Sequence, residues 1–185
     1  MCKQKRNRIV KASKHLSYLS LIVLIAIPMV IASIWIFGDK EFLMSGAPAH
    51  YLIPHGISIQ GDVTVSIRLF GFIASMIPNL FLMLGVWHLK VLFSHFCKLE
   101  FFTSDTTRRM KGFGMAVLVY GLIYPVSGGL LSLATSFQNP PGSRVIAITA
   151  GDHELMTLFL GGVILVIAWV MGEGKRLSDE IKQFV

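Results

Sequence analysis

The sequence predicts an all-α membrane protein, a bundle of four transmembrane helices with a small extracytoplasmic β element drawn from its two outer loops. Three observations predict it. Of 185 residues, 54% are hydrophobic and 15% charged, against a usual ~25% charged, so a water-soluble fold would lack the polar surface to cover itself. Four uncharged runs, His15 to Gly38, Leu69 to Leu89, Gly112 to Phe137 and Leu155 to Gly172, hold 24, 21, 26 and 18 residues. About 20 residues at ~1.5 Å each cross a ~30 Å hydrocarbon core, so all four can span. Basic residues, finally, concentrate in alternate segments between the runs. Helix is the form these runs must take, because lipid leaves backbone groups to satisfy one another and the runs are too long for barrel strands.

The chain opens with Met1 to Lys14, a basic tail carrying Lys3, Lys5, Arg6, Arg8, Lys11 and Lys14 with no acid. Positive charge before an apolar run suits either a signal peptide or a retained anchor. A cleavable core is ~7–15 residues and is followed closely by small residues. The run from His15 is longer, and the candidate site Ala47-Pro48-Ala49 lies beyond Asp39, Lys40 and Glu41, which predicts an uncleaved first helix over about 15–38. Further helices are predicted over about 67–99, 104–137 and 153–173, with outer loops 39–66 and 138–152 and a C-terminal tail from 174 to 185.

The connector between the middle helices organises the chain. From His88 to Leu99, the residues Leu89, Leu92, Phe93, Phe96 and Leu99 fall at helical spacing, with Lys90, Ser94, His95 and Lys98 opposite, which predicts an amphipathic extension of the second helix. Thr103, Ser104 and Asp105 then offer N-cap oxygens for the third. Arg108, Arg109 and Lys111 follow at the depth of anionic headgroups.

Counting Lys and Arg sets the orientation. The N-terminal tail has six, the connector five and the C-terminal tail three, against Lys40, Arg68 and Arg144 on the opposite face. Fourteen against three predicts both termini in the cytoplasm. The net charge of +7 then needs no direct nucleic-acid contact to explain it. Cys2 and Cys97 lie on the reducing side, where no disulfide is expected.

In the first outer loop Ile57, Ile59, Val63, Val65 and Ile67 alternate with smaller or polar residues around a Gly61-Asp62 turn signal. In the second, Asn139-Pro140-Pro141-Gly142 precedes the strand-like run from Arg144 to Thr149. These two stretches supply the predicted β element.

Inside the runs the informative residues are small or polar. Pro28, Pro78 and Pro125 each bend a helix and free a carbonyl. Gly71, Ser75 and Asn79 share a face at four-residue spacing, a small-xxx-small surface with a hydrogen-bonding member beside Pro78. Gly114, Gly121, Gly128 and Thr135 recur every seven residues and invite close approach of a neighbouring backbone. Tyr124 and Ser127 add hydroxyls, and Gly161-Gly162 sits in the last helix. No Asp, Glu, Lys or Arg lies deep in any run, which argues against a proton-coupled pump or a voltage sensor.

No metal or haem site is expected. His88 and His95 lie at the cytoplasmic boundary and His50 and His55 in an outer loop, and none has further ligands at diagnostic spacing. His153 is read as an interfacial histidine at the start of the last helix, with Asp152 as the capping candidate. Motifs for a catalytic serine, a zinc protease, a phosphate-binding loop or paired intramembrane aspartates are missing. No enzyme activity, catalytic residue or cofactor is therefore expected.

The connector LEFFTSDTTRRMKGFG, the four helices and the closing WVMGEGKRLSDEIKQFV resemble the bacterial family known as domain of unknown function 2975. Phe101, Phe102, Thr103, Arg108, Arg109 and Gly112 or Gly114 stand at its apolar-Phe-Thr step and Arg-rich helix start. Gly174, Leu177, Glu180 and Val185 match its tail, and Lys182 stands where that family carries an acid. The resemblance covers most of the chain. It implies a multi-pass protein of the bacterial inner membrane, with a helix-turn-helix regulator as a candidate neighbour and partner, and it supplies no catalytic residues.

Two functions from different classes follow. The first is a membrane-embedded interaction or regulatory protein whose cytoplasmic surface (Phe102, Thr103, Arg108, Arg109, Lys111, Leu177, Glu180) meets a cytoplasmic partner. The alternative is a small transporter or channel subunit with a site among the bent helices around Asn79 and Tyr124. An intramembrane enzyme comes third. Apolar lipid-facing surfaces also allow a homo-oligomer.

Overall fold

A backbone immersed in hydrocarbon has only its own carbonyls to accept from its N–H groups, so each apolar run closes on itself as a helix. The computed structural model describes residues 2–45, 62–101, 103–136, 139–140, 142–144, 146–148 and 150–183. Among them are five helices: α1 (Cys2–Phe37), the short α2 (Lys40–Ser45), α3 (Val65–Cys97), α4 (Ser104–Ser136) and α5 (Asp152–Gln183). All but α2 are long and apolar enough to cross a membrane, which marks a multi-pass membrane protein. Their outward side chains agree, since Met29, Phe37, Phe159, Trp169 and Val170 are each at least 64% exposed. Such surfaces are solvated by lipid and would be an aggregation hazard in water.

Both end segments are helical. α1 already begins at Cys2, so the basic segment extends the first helix rather than preceding it. α5 runs through Gly172 and Gly174 to Gln183. Over its last turns Arg176 pairs with Glu173 at 3.2 Å and Glu180 at 3.3 Å, and Lys175 with Asp179 at 3.7 Å. These i,i+3 and i,i+4 pairs support a helix where two glycines would otherwise weaken it.

The β element is corrected. Among the described residues there is no strand. Val65 and Ile67 belong to the first turn of α3, which follows Thr64 and takes its Arg68 N–H to Thr64 O at 3.1 Å. In the second loop the Ala147 N–H donates to Ser132 Oγ on α4 at 2.8 Å, and the Ile148 side chain covers Gly129. That segment is held to α4 by these two contacts, while Ile146 and Ile148 both remain 66% exposed. Ile57 and Ile59 lie outside the described residues.

The connector is closed by its own groups. Glu100 N–H donates to His95 O at 3.2 Å and Leu99 N–H to Phe96 O at 3.1 Å, the paired bonds of a Schellman stop with Leu99 in the left-handed position (φ 63°). His95 Nδ1 and Glu100 Oε2 meet at 2.7 Å across the same turn. Thr103 and Thr106 then form a reciprocal cap: Thr106 N–H donates to Thr103 Oγ1 at 3.2 Å and Thr103 N–H to Thr106 Oγ1 at 3.0 Å. A left-handed leucine is strained by about 1–2 kcal/mol. Leu99→Gly is accordingly expected to raise the unfolding midpoint of the detergent-solubilised protein by about 1 kcal/mol equivalent. A fall in midpoint would show that the leucine side chain's contacts outweigh the strain.

Two compact units share these helices. The first comprises Met1–Leu24, Met83–Leu118 and Leu158–Val185, and the second Ile25–Leu82 and Val119–Thr157. In the first, α4 and α5 mesh through small residues. A Cβ built on Gly172 would lie 3.3 Å from Thr107 Cγ2, one on Gly114 2.9 Å from Leu165 Cδ2, and one on Gly161 2.8 Å from Leu118 Cδ2. Successive contacts advance along α4 by the same number of residues as they retreat along α5, as antiparallel neighbours with matched pitch must. α3 meets α4 likewise at Gly85, where a Cβ would lie 3.3 Å from that of Ala116.

The second unit is built around Trp35, Ile31, Leu131 and Tyr124, each at most 2% exposed. Its interior is also rich in hydroxyls. Ser127, Ser132 and Thr135 return their protons to carbonyls three or four residues earlier in α4, which satisfies a polar side chain without leaving the helix.

Candidate functional site

Gly71, Ser75, Pro78 and Asn79 come together as one buried face of α3, and a tryptophan occupies it. The Trp35 indole of α1 lies flat on Gly71, where a Cβ would be 2.2 Å from its Cη2. Trp35 Nε1 donates to Ser75 Oγ at 3.2 Å, and Ser75 Oγ donates to Gly71 O at 2.8 Å. Asn79 Nδ2 reaches Ser75 O, also at 2.8 Å. Ser75 and Asn79 are wholly buried and Pro78 nearly so. One bond chain thus runs from a side chain of α1 through a serine to the backbone of α3. The end of α1 is fastened separately: Arg68 Nη1 donates to Trp35 O at 2.6 Å and to Ile36 O at 2.7 Å. A cation on terminal carbonyls is the favourable end of the helix dipole.

On α4, Tyr124 is 2% exposed, Gly121 and Gly128 are buried and Pro125 half-buried. Tyr124 joins a cluster that sequence reasoning missed. Its ring centroid lies 5.5 Å from that of Tyr120 and 5.5 Å from that of His153, and His153 is also edge-on to Tyr120 at 6.4 Å. Glu154, 4% exposed, is within electrostatic reach of both phenols. His153 is therefore packed against both tyrosine rings and half-buried. Capping of α5 falls to Gly151, whose N–H donates to Glu154 Oε2 at 2.6 Å and whose carbonyl accepts from Leu155 N–H at 3.3 Å; Asp152 stays exposed. The signal was present in Gly151 and Glu154 at capping-box spacing and in Tyr120 and Tyr124 on one helical face.

Gly114 and Gly161 lie in the α4–α5 seam of the first unit, while Gly162 faces open space with nothing within 4 Å of a built Cβ. Two neighbouring glycines thus have different roles. His88 packs over Gly112, where a Cβ would sit 2.8 Å from its Nε2, and Arg109 Nη1 approaches His88 Nδ1 at 3.5 Å.

Of the cytoplasmic-surface candidates, Phe102 lies outside the described residues. Thr103 is engaged in the cap, and Arg109 is half-buried beside His88. Arg108 and Lys111 are exposed, the former paired to Asp105 at 2.8 Å. Leu177, 50% exposed, and Ile181, 66%, lie one turn apart on α5, with Glu180 exposed beside them. Lys175 Nζ donates to Ser104 Oγ, which ties the last turns of α5 to the first turn of α4. Charge is divided unevenly: the first unit holds fourteen Lys and Arg against five Asp and Glu, and the second three against five. Among the described residues no three His, Cys, Asp or Glu side chains converge as a metal ion would require.

A family model described as Protein of unknown function (DUF2975) matches residues 9–184. No curated protein and no solved structure matches the chain.

Proposed function

The chain belongs to the DUF2975 family of proteins of unknown function, and we propose that it is an interaction or regulatory protein of the bacterial inner membrane that presents a basic cytoplasmic surface to a protein partner. Both termini lie in the cytoplasm in this reading, and the partner is an acidic cytoplasmic protein, with a helix-turn-helix regulator as the first candidate.

The observation that carries the reading is the Lys175–Ser104 bond. It supports one composite surface made from the start of α4 and the end of α5, with Arg108, Lys111, Leu177, Glu180 and Ile181 outward. Exposed apolar side chains on a surface that also carries lysine and arginine charge suit an amphipathic acidic partner. The charge division between the two units supports the orientation, since lysine and arginine are retained on the cytoplasmic side. A solute path would need Asn79 and Tyr124 to meet water, and their burial supports the interaction reading over the transporter.

Two measurements test it in intact cells. A photo-crosslinker at Leu177 is expected to capture one cytoplasmic protein, and the adduct should fall about tenfold in an Arg108→Glu, Lys111→Glu variant that reaches the membrane at normal level. An adduct that survives charge reversal, or none at all, overturns the partner surface. A membrane-impermeant thiol reagent should label Gly142→Cys from outside; labelling from the cytoplasmic side alone reverses the orientation.

A further inference from the structure

Arg68 has work left over after it fastens α1. Only its Nη1 is used, on Trp35 O and Ile36 O. Its Nε and Nη2 make no hydrogen bond or ion pair with any described residue, and neither is sealed from solvent. Directly below, a groove of about 390 Å³ is lined by Ala32, Trp35 and Ile36 of α1 and by Val65, Leu69 and Phe72 of α3, with Arg68 as its one charged member.

The groove has a direction. α1 ends at Phe37 and α3 begins at Val65, so Arg68, Ile36 and Val65 mark the helix-end rim while Ala32 and Phe72 lie further into the spans. A guanidinium at the rim and hydrocarbon side chains beneath it reproduce the polarity of a lipid, headgroup above and chain below. Guanidinium presents its donors as a planar fork that matches phosphate oxygens. Here one nitrogen is spent and the other two keep donors with no partner among the described residues.

We propose that Arg68 and the α1–α3 groove form a binding site for one anionic phospholipid, its phosphate on Arg68 Nε and Nη2 and the upper part of one acyl chain along Leu69, Phe72 and Ala32. The proposal rests on the membrane reading above and adds a ligand to it. The bound lipid completes the hydrogen bonding of a residue that already holds the end of α1. Headgroup charge is thereby linked to how firmly that end is held.

Native mass spectrometry of the full chain released from detergent, with phosphatidylglycerol and phosphatidylcholine titrated as matched probes, tests it. The wild type is expected to retain one phosphatidylglycerol about tenfold more tightly than phosphatidylcholine. Ala32→Phe fills the groove without touching the Arg68 bonds and should abolish retention of that lipid at an unchanged unfolding midpoint. Arg68→Gln should remove the headgroup preference. Inorganic phosphate up to millimolar levels should not displace the lipid, since the chain contributes to binding. Equal retention of the two lipids, unaltered retention in Ala32→Phe, displacement by free phosphate, or a change from dimer to monomer in Ala32→Phe would each overturn the proposal. Failure of the membrane reading has a different signature, a chain recovered soluble and monodisperse without detergent.

Discussion

Gly71→Ala is expected to be severely damaging for the addition of a single methyl group. The new Cβ would lie 2.2, 2.4 and 2.5 Å from three carbons of the Trp35 ring, and the ring is 1% exposed with its nitrogen already committed to Ser75. Neither partner can give way cheaply. Expelling the indole would forfeit its packing, a loss of about 3–5 kcal/mol for a large aromatic, and retaining it would impose overpacking strain of about 1–3 kcal/mol or more. The variant should lose most folded protein in fluorescence-detected size exclusion, or melt many degrees lower. Trp35→Leu is the control: it should be harmful alone and much less harmful in the Gly71→Ala background, with a coupling of about 1–3 kcal/mol. Strict additivity of the two would mean that the methyl and the ring do not meet.

The second large effect separates adjacent residues. Gly161→Ala places a Cβ 2.8 Å from two side-chain carbons of Leu118 and 3.1 Å from its backbone nitrogen. A backbone atom cannot rotate aside, so the α4–α5 seam must open, at a cost of about 2–3 kcal/mol. Gly162→Ala meets nothing within 4 Å and should stabilise by about 0.5–1 kcal/mol, because alanine loses less backbone freedom on entering a helix. Opposite signs are the expected result in thermal unfolding. Two similar shifts would dispose of the asymmetry and of the seam with it.

The long helices were legible because a hydrocarbon solvent writes itself directly into the sequence as uninterrupted apolar length. The family resemblance was legible for a related reason, since the connector from Leu99 to Gly114 carries its motif within one short segment, and the family match extends over residues 9–184. The strand-like run from Arg144 misled because alternation alone does not supply a partner strand. Here the segment rests on α4 through the Ala147 N–H on Ser132 and Ile148 over Gly129, with Ile146 and Ile148 still 66% exposed. Gly172 and Gly174 resemble helix stops, yet the Glu173–Arg176 pair spans Gly174 and α5 continues past both. Trp35 could not be matched to Gly71 from one chain, since nothing local in either neighbourhood names a partner so distant in sequence. Glu154 was hidden differently: a carboxylate at a helix start reads as solvated unless one knows that it is 4% exposed and near Tyr120 and Tyr124.

The matched spacing of the α4–α5 contacts has a mechanical consequence. Thr107, Gly114 and Leu118 engage Gly172, Leu165 and Gly161 like the teeth of two opposed racks. A shift of one rack by a fraction of a tooth would drive Thr107, Leu165 and Leu118 off their glycines and against the larger residues beside them, all three together. Piston-like sliding is thereby opposed at three positions at once. Any pull on the α5 terminus would therefore be shared with α4 through this seam.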